Sequence, residues 1–353
     1  MEIPKKRRNW IPFTLIVITI CCFLPGLLLT YDSVIHPKLV DIISSYPQQV
    51  RFSEPRLIAE DLVNAYRLTW SEDGSRIEVY ESHWTLATPD EPGTIKVFDA
   101  HTGDLVDTYI EGDTPGQEVN SCANHTFAVE FRDIDGYKWS ISLIRDNKKI
   151  NEFVFSPIYT GEYESSRVPY SESFSPECNY LTFIVDGWIY HEGEGPAELW
   201  LLDIDNAILR PIVIGRWPVL RVWDYPVQSV QPGWSPDEDK IVFGDSEFGL
   251  EIYNIRTMKR RWLVGPDSAG LEPKWSHNGK WIASWQPGAD PNAAYDSILL
   301  ISTDTRAKAV TGHCSFSGDM EWSPDDNLLS YLCPGGQGNY SLWVWTTDET
   351  ASK

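Results

Sequence analysis

The stretch Trp322-Ser323-Pro324-Asp325-Asp326, together with the apolar run at 328–332, contains the pattern that decides the fold. Serine, proline and aspartate at these spacings are typical of a tight turn, because hydroxyl and carboxylate groups bond the local backbone and proline fixes φ. A tryptophan before the turn and apolar residues after it predict the two strands of a hairpin. The stretch therefore predicts a β-hairpin at the start of a sheet.

The same pattern recurs along the chain at a nearly constant interval. The copies begin at Trp70, Ser121, Phe174, Trp234, Trp275 and Trp322. Their mean separation of about 50 residues is typical of a propeller in which each blade is a four-stranded sheet. We therefore predict an all-β fold, a six-bladed β-propeller of four-stranded blades, in which the motif tryptophans pack between blades.

The repeated Trp-Ser-Pro-Asp pattern resembles that of TolB-type β-propellers. Residues 93–99, Gly-Thr-Ile-Lys-Val-Phe-Asp, followed by Thr102-Gly103, also resemble the third strand and turn of a WD repeat. The resemblance covers roughly residues 50 to 347 and implies a propeller that makes protein contacts in the cell envelope. Because the matching residues belong to the scaffold, the resemblance specifies a fold better than an activity.

The N-terminal segment predicts a membrane anchor. Residues 10–30 contain no charged side chain, and a helix of about 20 residues is enough to cross a bilayer. The basic cluster at 5–8 predicts a cytoplasmic N-terminus and an extracytoplasmic propeller. A cleaved signal peptide is the alternative, although no small-x-small cleavage site follows the apolar run. We expect a cytoplasmic tail at 1–9, a transmembrane signal-anchor helix at 10–30, a stalk at 31–47 and the propeller at 48–353.

The sixth repeat ends soon after its third strand, so we expect its outer strand to come from elsewhere. Propellers commonly close with a strand from the other end of the chain, since an unpaired edge is a liability. Residues 49–58 have apolar side chains at suitable positions. We predict that this segment pairs with the strand at 341–346.

The charge and the cysteines constrain the environment and the partners. A net charge of −22 argues against nucleic acid and anionic lipid as partners. An oxidising compartment would permit Cys314 to pair with Cys333 and Cys122 to pair with Cys178. Free buried thiols are the alternative, and the spacing alone does not decide between them.

The candidate functional surface lies on the long connections, which should all emerge on one face of the disc. Functional residues concentrate on loops that a rigid scaffold positions. This face is rich in aromatic residues, as protein-contact hot spots and carbohydrate platforms are; the alternative is that long loops need a small core of their own. The predicted ligand- or partner-binding residues are Trp84, Tyr163, Tyr170, Trp188, Trp217, Trp223, Tyr225 and Tyr295.

The sequence contains no nucleophile elbow, paired-histidine zinc helix or phosphate-binding loop. His83, His191 and His313 fall on the same face and are weak candidates for a metal site, so neither a metal nor another cofactor is predicted. The sequence favours a membrane-anchored, extracytoplasmic scaffold that binds a protein or a small ligand. The alternative is a propeller enzyme, a lyase or hydrolase that acts on carbohydrate or a small ester at an axial site.

Overall fold

A computed structural model describes residues 53–82, 93–110, 120–122, 125–134, 138–157, 168–186, 197–216, 232–245, 249–265, 271–286, 297–304, 308–311, 314, 318–335 and 338–347. These residues form 24 β-strands, arranged in six antiparallel sheets of four strands. The all-β prediction and the four-stranded sheets are therefore confirmed for this part of the chain.

Five of the sheets take their strands in chain order. Sheet 1 contains β2 (Ala65–Trp70), β3 (Arg76–Glu81), β4 (Thr94–Asp99) and β5 (Leu105–Ile110). Sheet 2 contains β6 (Asn120–Cys122), β7 (His125–Asp133), β8 (Trp139–Arg145) and β9 (Lys148–Phe155). Sheet 3 contains β10 (Val168–Phe174), β11 (Tyr180–Asp186), β12 (Ala197–Asp203) and β13 (Ile208–Arg216). Sheet 4 contains β14 (Gly233–Trp234), β15 (Lys240–Asp245), β16 (Gly249–Asn254) and β17 (Lys259–Val264). Sheet 5 contains β18 (Leu271–Trp275), β19 (Trp281–Gln286), β20 (Ser297–Ser302) and β21 (Lys308–Thr311).

Sheet 6 combines both ends of the described chain. It contains β22 (Met320–Trp322), β23 (Leu328–Pro334), β24 (Asn339–Thr346) and β1 (Arg56–Val63). β1 pairs antiparallel with β24, with Arg56 opposite Val344. The predicted pairing is present, but it uses 56–63 rather than 49–58, of which 49–52 lie outside the described residues. Burial explains the register, because Leu62 is 1% exposed and packs in a core shared by sheets 6 and 1.

The motif serine explains why five of the six hairpins form where they do. The Ser323 hydroxyl accepts a hydrogen bond from the Leu328 N–H at 2.9 Å, and the Ser323 carbonyl accepts one from the Asp326 N–H at 2.9 Å. The residue that ends the turn has a left-handed backbone, with φ of 61° at Asp326 and 70° at Gly74, which is why glycine suits this position. The same serine-hydroxyl bond is made by Ser71, Ser175, Ser235 and Ser276.

The motif tryptophans join neighbouring sheets. Trp322 is 2% exposed, and its indole N–H donates to the Lys274 carbonyl of sheet 5 at 3.2 Å. The acceptor is in each case the residue just before the motif aromatic residue of the preceding sheet. The equivalent bonds run from Trp234 to Ser173 at 3.2 Å, from Trp275 to Gly233 at 3.1 Å and from Trp70 to Glu321 at 3.1 Å. They link sheets 3, 4, 5, 6 and 1 in that order, which is a β-propeller-like arrangement.

Sheets 2 and 3 meet through phenylalanines, because their motif copies have no tryptophan. The rings of Phe127 and Phe174 have centroids 5.6 Å apart, and those of Phe131 and Phe183 are 5.4 Å apart. These rings belong to apolar clusters that include residues of both sheets. Packing of aromatic rings therefore replaces the indole-to-carbonyl bond at this junction.

Arginines on outer strands make a second set of links between sheets. Arg56 of β1 donates to the carbonyl of Ala100, which follows the third strand of sheet 1, at 2.6 Å. Two other outer-strand arginines bond the equivalent carbonyl of the next sheet, Arg210 to Ile255 at 3.2 Å and Arg261 to Thr303 at 3.0 Å. The junction of sheets 6 and 1 thus has both an inner tryptophan link and an outer arginine link.

The predicted disulfide between Cys314 and Cys333 is present, with Cα atoms 5.1 Å apart. It fastens the connection after β21 to strand β23. Cys178 is also disulfide-bonded; the side chain of its predicted partner, Cys122, lies outside the described set, so that pairing stays a prediction.

The predicted anchor at 10–30 and the stalk at 31–47 lie outside the described residues. Within the described ranges, no helix has the length and hydropathy that a membrane span requires. The anchor therefore stays a prediction.

Replacing the buried motif tryptophan of sheet 6 tests the link between sheets. We expect Trp322→Ala to lower the free energy of unfolding by about 3–5 kcal/mol, because it leaves a cavity and removes the indole bond. Trp322→Phe should cost less, about 1–3 kcal/mol, because a six-membered ring still fills most of the site while the hydrogen bond and the pyrrole atoms of the indole are lost. Chemical denaturation of the full chain in detergent measures both. Two variants of equal stability would show that the hydrogen bond, and not the ring volume, accounts for the effect.

Candidate functional site

Charged residues precede the motif tryptophans of sheets 5 and 6, one and three positions earlier in the chain. They are Glu272 and Lys274 of β18, and Asp319 and Glu321 at the start of sheet 6. β18 and β22 are the first strands of their sheets, which a propeller places around its central axis. We call these four residues the axial cluster.

Lys274 joins the two sheets at the axial cluster. Its Nζ lies 3.0 Å from Asp319 Oδ1 and 2.7 Å from Glu321 Oε2. Burial alone would lower the pKa of Lys274, but the two carboxylates more than offset that effect and hold the pKa above its ordinary value. Lys274 is therefore a fixed positive charge, although its side chain is still 34% exposed.

Asp319 extends the cluster to a third sheet. Its second carboxylate oxygen, Oδ2, accepts a hydrogen bond from the Leu68 N–H of β2 at 2.7 Å. Charge-assisted bonds of this kind are among the stronger hydrogen bonds in proteins. Asp319 and Lys274 therefore hold the first strands of sheets 5, 6 and 1 together.

Glu272 is the member of the cluster that differs most from an ordinary carboxyl group. Its backbone is left-handed, with φ of 51°, in an irregularity where β18 loses register with β19 between Leu271 and Lys274. Bulges of this kind re-aim side chains and are common near active sites. Burial raises the pKa of Glu272 to about 7, while Lys274 lowers it and Asp319 raises it by smaller amounts. No hydrogen bond to its carboxylate is found among the described residues.

This arrangement can exchange a proton near neutral pH. A carboxyl group with a pKa close to 7 can act as a general acid or a general base, and perturbed groups of this kind are candidates for functional sites. Within the described ranges, no group of three or more His, Cys, Asp or Glu side chains is placed to hold a metal ion. The described geometry thus offers one titrating group beside a fixed positive charge.

A polar cleft of about 350 Å³ lies between sheets 3 and 4, at the hairpin turns. Two of its carboxylates already have partners in the protein: Glu238 accepts hydrogen bonds from the Glu177 N–H and from Asn179 at 2.7 Å, and Asp239 pairs with Arg256 at 2.5 Å. These contacts fasten one turn to the next. The cleft is a junction between sheets, and its lining gives no sign of a ligand.

The predicted loop-face residues stay predictions. Trp84, Tyr163, Trp188, Trp217, Trp223, Tyr225 and Tyr295 and the histidines His83, His191 and His313 all lie outside the described residues. Tyr170 was expected on a long connection, but its backbone is in strand β10, opposite Ile184. Its side chain is outside the described set. None of the predicted binding residues can therefore be placed against another.

The axial cluster was not predicted from the sequence, although a signal for it exists. In a strand, residues one and three positions before the tryptophan point away from the face on which the tryptophan packs. Glutamate, lysine and aspartate at those positions of two successive repeats indicate charged groups at one edge of adjacent sheets. Their pairing depends on how the sheets pack, which the repeat pattern alone does not give.

No protein-family model matches the chain, and no curated protein sequence matches it. Among solved structures, the chain is similar to an oligogalacturonate lyase in complex with manganese, at 14% identity and a TM-score of 0.43, over 87% of this chain and 100% of that one. It is also similar to the oligogalacturonate lyase of Vibrio parahaemolyticus, at 11% identity and a TM-score of 0.40, over 86% of this chain and 99% of that one. Likenesses of this degree assign no function to the chain.

The raised pKa of Glu272 predicts how stability depends on pH. The folded chain keeps a proton on Glu272 that the unfolded chain releases between the ordinary glutamate pKa of 4.5 and a pH of about 7, so the free energy of unfolding falls as pH rises through that window. Glu272→Gln should remove this loss and stabilise the protein at pH 8 by up to about 3 kcal/mol, with little effect near pH 4.

Denaturation of the wild type and of Glu272→Gln across this pH range measures the difference. Glu72→Gln is the matched control, because Glu72 is an exposed carboxyl on the hairpin turn of sheet 1. A Glu272→Gln variant with the same pH dependence as the wild type would show that Glu272 is not protonated in the folded protein.

Proposed function

We propose that the chain is a six-bladed β-propeller, held outside the cytoplasm by an N-terminal anchor, and that it works as a binding scaffold. The observation that carries this proposal is the pairing within the axial cluster. Lys274 is bonded to Asp319 and Glu321, and Asp319 is bonded to the backbone of Leu68. A catalyst needs several polar groups that converge on one reacting atom. Groups bonded to one another hold sheets together instead, and a rigid junction of this kind supports a scaffold that positions binding loops.

The proposed binding surface is the face that carries the long connections. The described sheets support this proposal, because indole, arginine and carboxylate links between them give the rigid base that binding loops require. The aromatic residues proposed for contact include Trp217 and Trp223. A protein partner or a small ligand would bind to this face. The net charge of −22 disfavours nucleic acid as a partner.

Alanine variants of the two loop tryptophans test the binding surface. We expect Trp217→Ala and Trp223→Ala to leave the melting temperature nearly unchanged and to weaken a partner by about tenfold or more, as loss of an aromatic hot spot does. Site-specific photo-cross-linking in native membranes measures the contact. Met258→Ala, at a residue 63% exposed on a turn between third and fourth strands, is the control. A lower melting temperature would show that the tryptophans are core residues.

The Cys314–Cys333 disulfide supports the extracytoplasmic location, since disulfides persist in oxidising compartments. In cells of the source organism, acid trapping followed by alkylation should find both cysteines oxidised. The double variant Cys314→Ser, Cys333→Ser should have a free energy of unfolding about 3 kcal/mol below that of the wild type, because the bridge closes a short loop; reduction would also break the bridge of Cys178. The same variant gives the reference for the alkylation. Reduced thiols in the native cells would contradict the proposed location.

Glu272 favours a second candidate function, an enzyme that uses general acid or base catalysis at the axis on a carbohydrate or a small ester. The specific observation is a strained, partly buried carboxyl whose pKa is about 7, next to the cation of Lys274. The two functions predict different effects of the Glu272→Gln substitution. Turnover would be lost if Glu272 is the proton carrier, whereas partner binding on the loop face would be unchanged.

A further inference from the structure

The apolar core of the ring is interrupted at one junction. Sheets 2 and 3 share two clusters of buried apolar side chains, sheets 3 to 6 share a third, and sheets 6 and 1 share another. Among the described residues, no cluster contains side chains of both sheet 1 and sheet 2. The apolar core therefore extends from sheet 2 round to sheet 1 but does not join those two sheets to each other.

The faces that sheets 1 and 2 turn toward each other in the ring are polar. Successive residues of a strand point to opposite faces of its sheet. On β3, Glu78 and Tyr80 alternate with residues that pack toward sheet 6. On β7, the exposed Glu130 and Arg132 alternate with residues that pack toward sheet 3. These four side chains therefore lie on the facing surfaces, where the other junctions have leucine, phenylalanine and tryptophan.

The two kinds of bond that link other sheets cannot form between sheets 1 and 2. The motif copy of sheet 2 begins with Ser121, which has no indole to donate to sheet 1. The junction of sheets 2 and 3 also lacks an indole bond, but phenylalanine rings of both sheets pack there instead. The outer strand of sheet 1, β5, contains no arginine, so the outer link to sheet 2 cannot form either. Both differences are fixed by the sequence.

The hairpin turns give a third kind of link, which sheet 2 does not make to sheet 1. Asp326, the last residue of the sheet 6 turn, accepts hydrogen bonds from two N–H groups of the sheet 5 turn, each at 2.7 Å. Glu238, at the same position in sheet 4, bonds the turn of sheet 3. The equivalent residue of sheet 2 is His125, whose ring bonds Asp146 of its own sheet at 2.7 Å. His125 therefore does not clasp the turn of sheet 1.

We propose that the ring opens at the junction of sheets 1 and 2, which we call the seam. The junction of sheets 6 and 1, where the two ends of the described chain meet, has an apolar cluster, an indole bond and an arginine bond. The seam has none of these three within the described ranges. The chain itself joins β5 to β6, so sheet 2 can move away from sheet 1 while both stay in the fold. Opening would change the separation of the connections that the two sheets carry.

The seam is closed in the structure, which makes its opening measurable. Val97 of β4 lies opposite Glu78 on the seam face and is 4% exposed, although it belongs to none of the apolar clusters. Val79 of β3 is 0% exposed and packs in the cluster that sheets 6 and 1 share. Two valines of one sheet thus report on its two junctions. The inference does not depend on the proposed function, because these contacts are the same whether the loops bind or the axis catalyses.

Cysteine labelling of the full chain in detergent tests the seam. A buried thiol reacts only when its surroundings open, so its rate reports the opening equilibrium. We expect Val97→Cys to react with a thiol reagent at least about tenfold faster than Val79→Cys, because the seam lacks the ring packing and hydrogen bonds of the other junction. The wild type gives the contribution of the native cysteines.

Circular dichroism shows whether each cysteine variant is folded. Ile95→Cys and Ile77→Cys lie on the same two faces of sheet 1 and repeat the comparison if a valine variant does not fold. Equal labelling rates on the two faces would overturn the proposal.

Supplying the missing ring gives a second test. Ser121→Trp places an indole at the position from which other motif tryptophans bond the preceding sheet, so labelling of Val97→Cys should slow by about tenfold or more. Ser121→Ala is the control and should leave the rate unchanged. Ser121→Phe tests ring packing alone, as at the junction of sheets 2 and 3. An unchanged rate in both aromatic variants, each with wild-type circular dichroism, would contradict the proposal.

Discussion

The structure depends on one repeated hydrogen bond, from the indole of a motif tryptophan to the strand of the preceding sheet. The motif turn fixes where each first strand ends, and the indole of the next sheet bonds the carbonyl at the equivalent position. Gly233 shows how close this contact is. A Cβ there would lie 2.1 Å from the Pro273 carbonyl oxygen, so only glycine fits between sheets 4 and 5. Repetition in the sequence therefore becomes repetition in the packing.

The local parts of the fold could be predicted from the sequence, because turn chemistry is local. The turn motif at 322–326 predicts the hairpin that β22 and β23 form, and the Cys314–Cys333 disulfide is one of two predicted pairs. The predicted position of β1, at 49–58, lies several residues before its actual position at Arg56–Val63. Its register depends on Leu62 packing against distant strands, and no nearby residue reports that contact. Pairing between remote segments is the part of a fold that local patterns specify least.

The candidate site could not be predicted, for a different physical reason. Sequence reasoning favoured long aromatic loops, whereas the described charged groups lie on the first strands of sheets 5 and 6. What distinguishes Glu272 is its burial and the nearby Lys274 and Asp319 charges, one of them from the adjacent sheet. A repeat pattern identifies equivalent positions but not which neighbour each position meets. The loop residues lie outside the described ranges and stay predictions.

The junction of sheets 6 and 1 explains why most axial charges are bonded to protein groups. Sheet 6 is closed non-covalently where β1 pairs with β24, and β1 continues through Asn64 into β2, so bonds from β22–β24 to sheet 1 also help to hold the two ends of the described chain together. Asp319 bonds the Leu68 N–H at 2.7 Å, and the buried Glu81 accepts the Val63 N–H of β1 at 2.6 Å. Asp319 contributes to closure through its bond to Leu68, and the ammonium group of Lys274 neutralises the charge of the Asp319 carboxylate. Glu272 is thus the axial carboxyl that closure does not require, and any proton chemistry at the axis would fall to it.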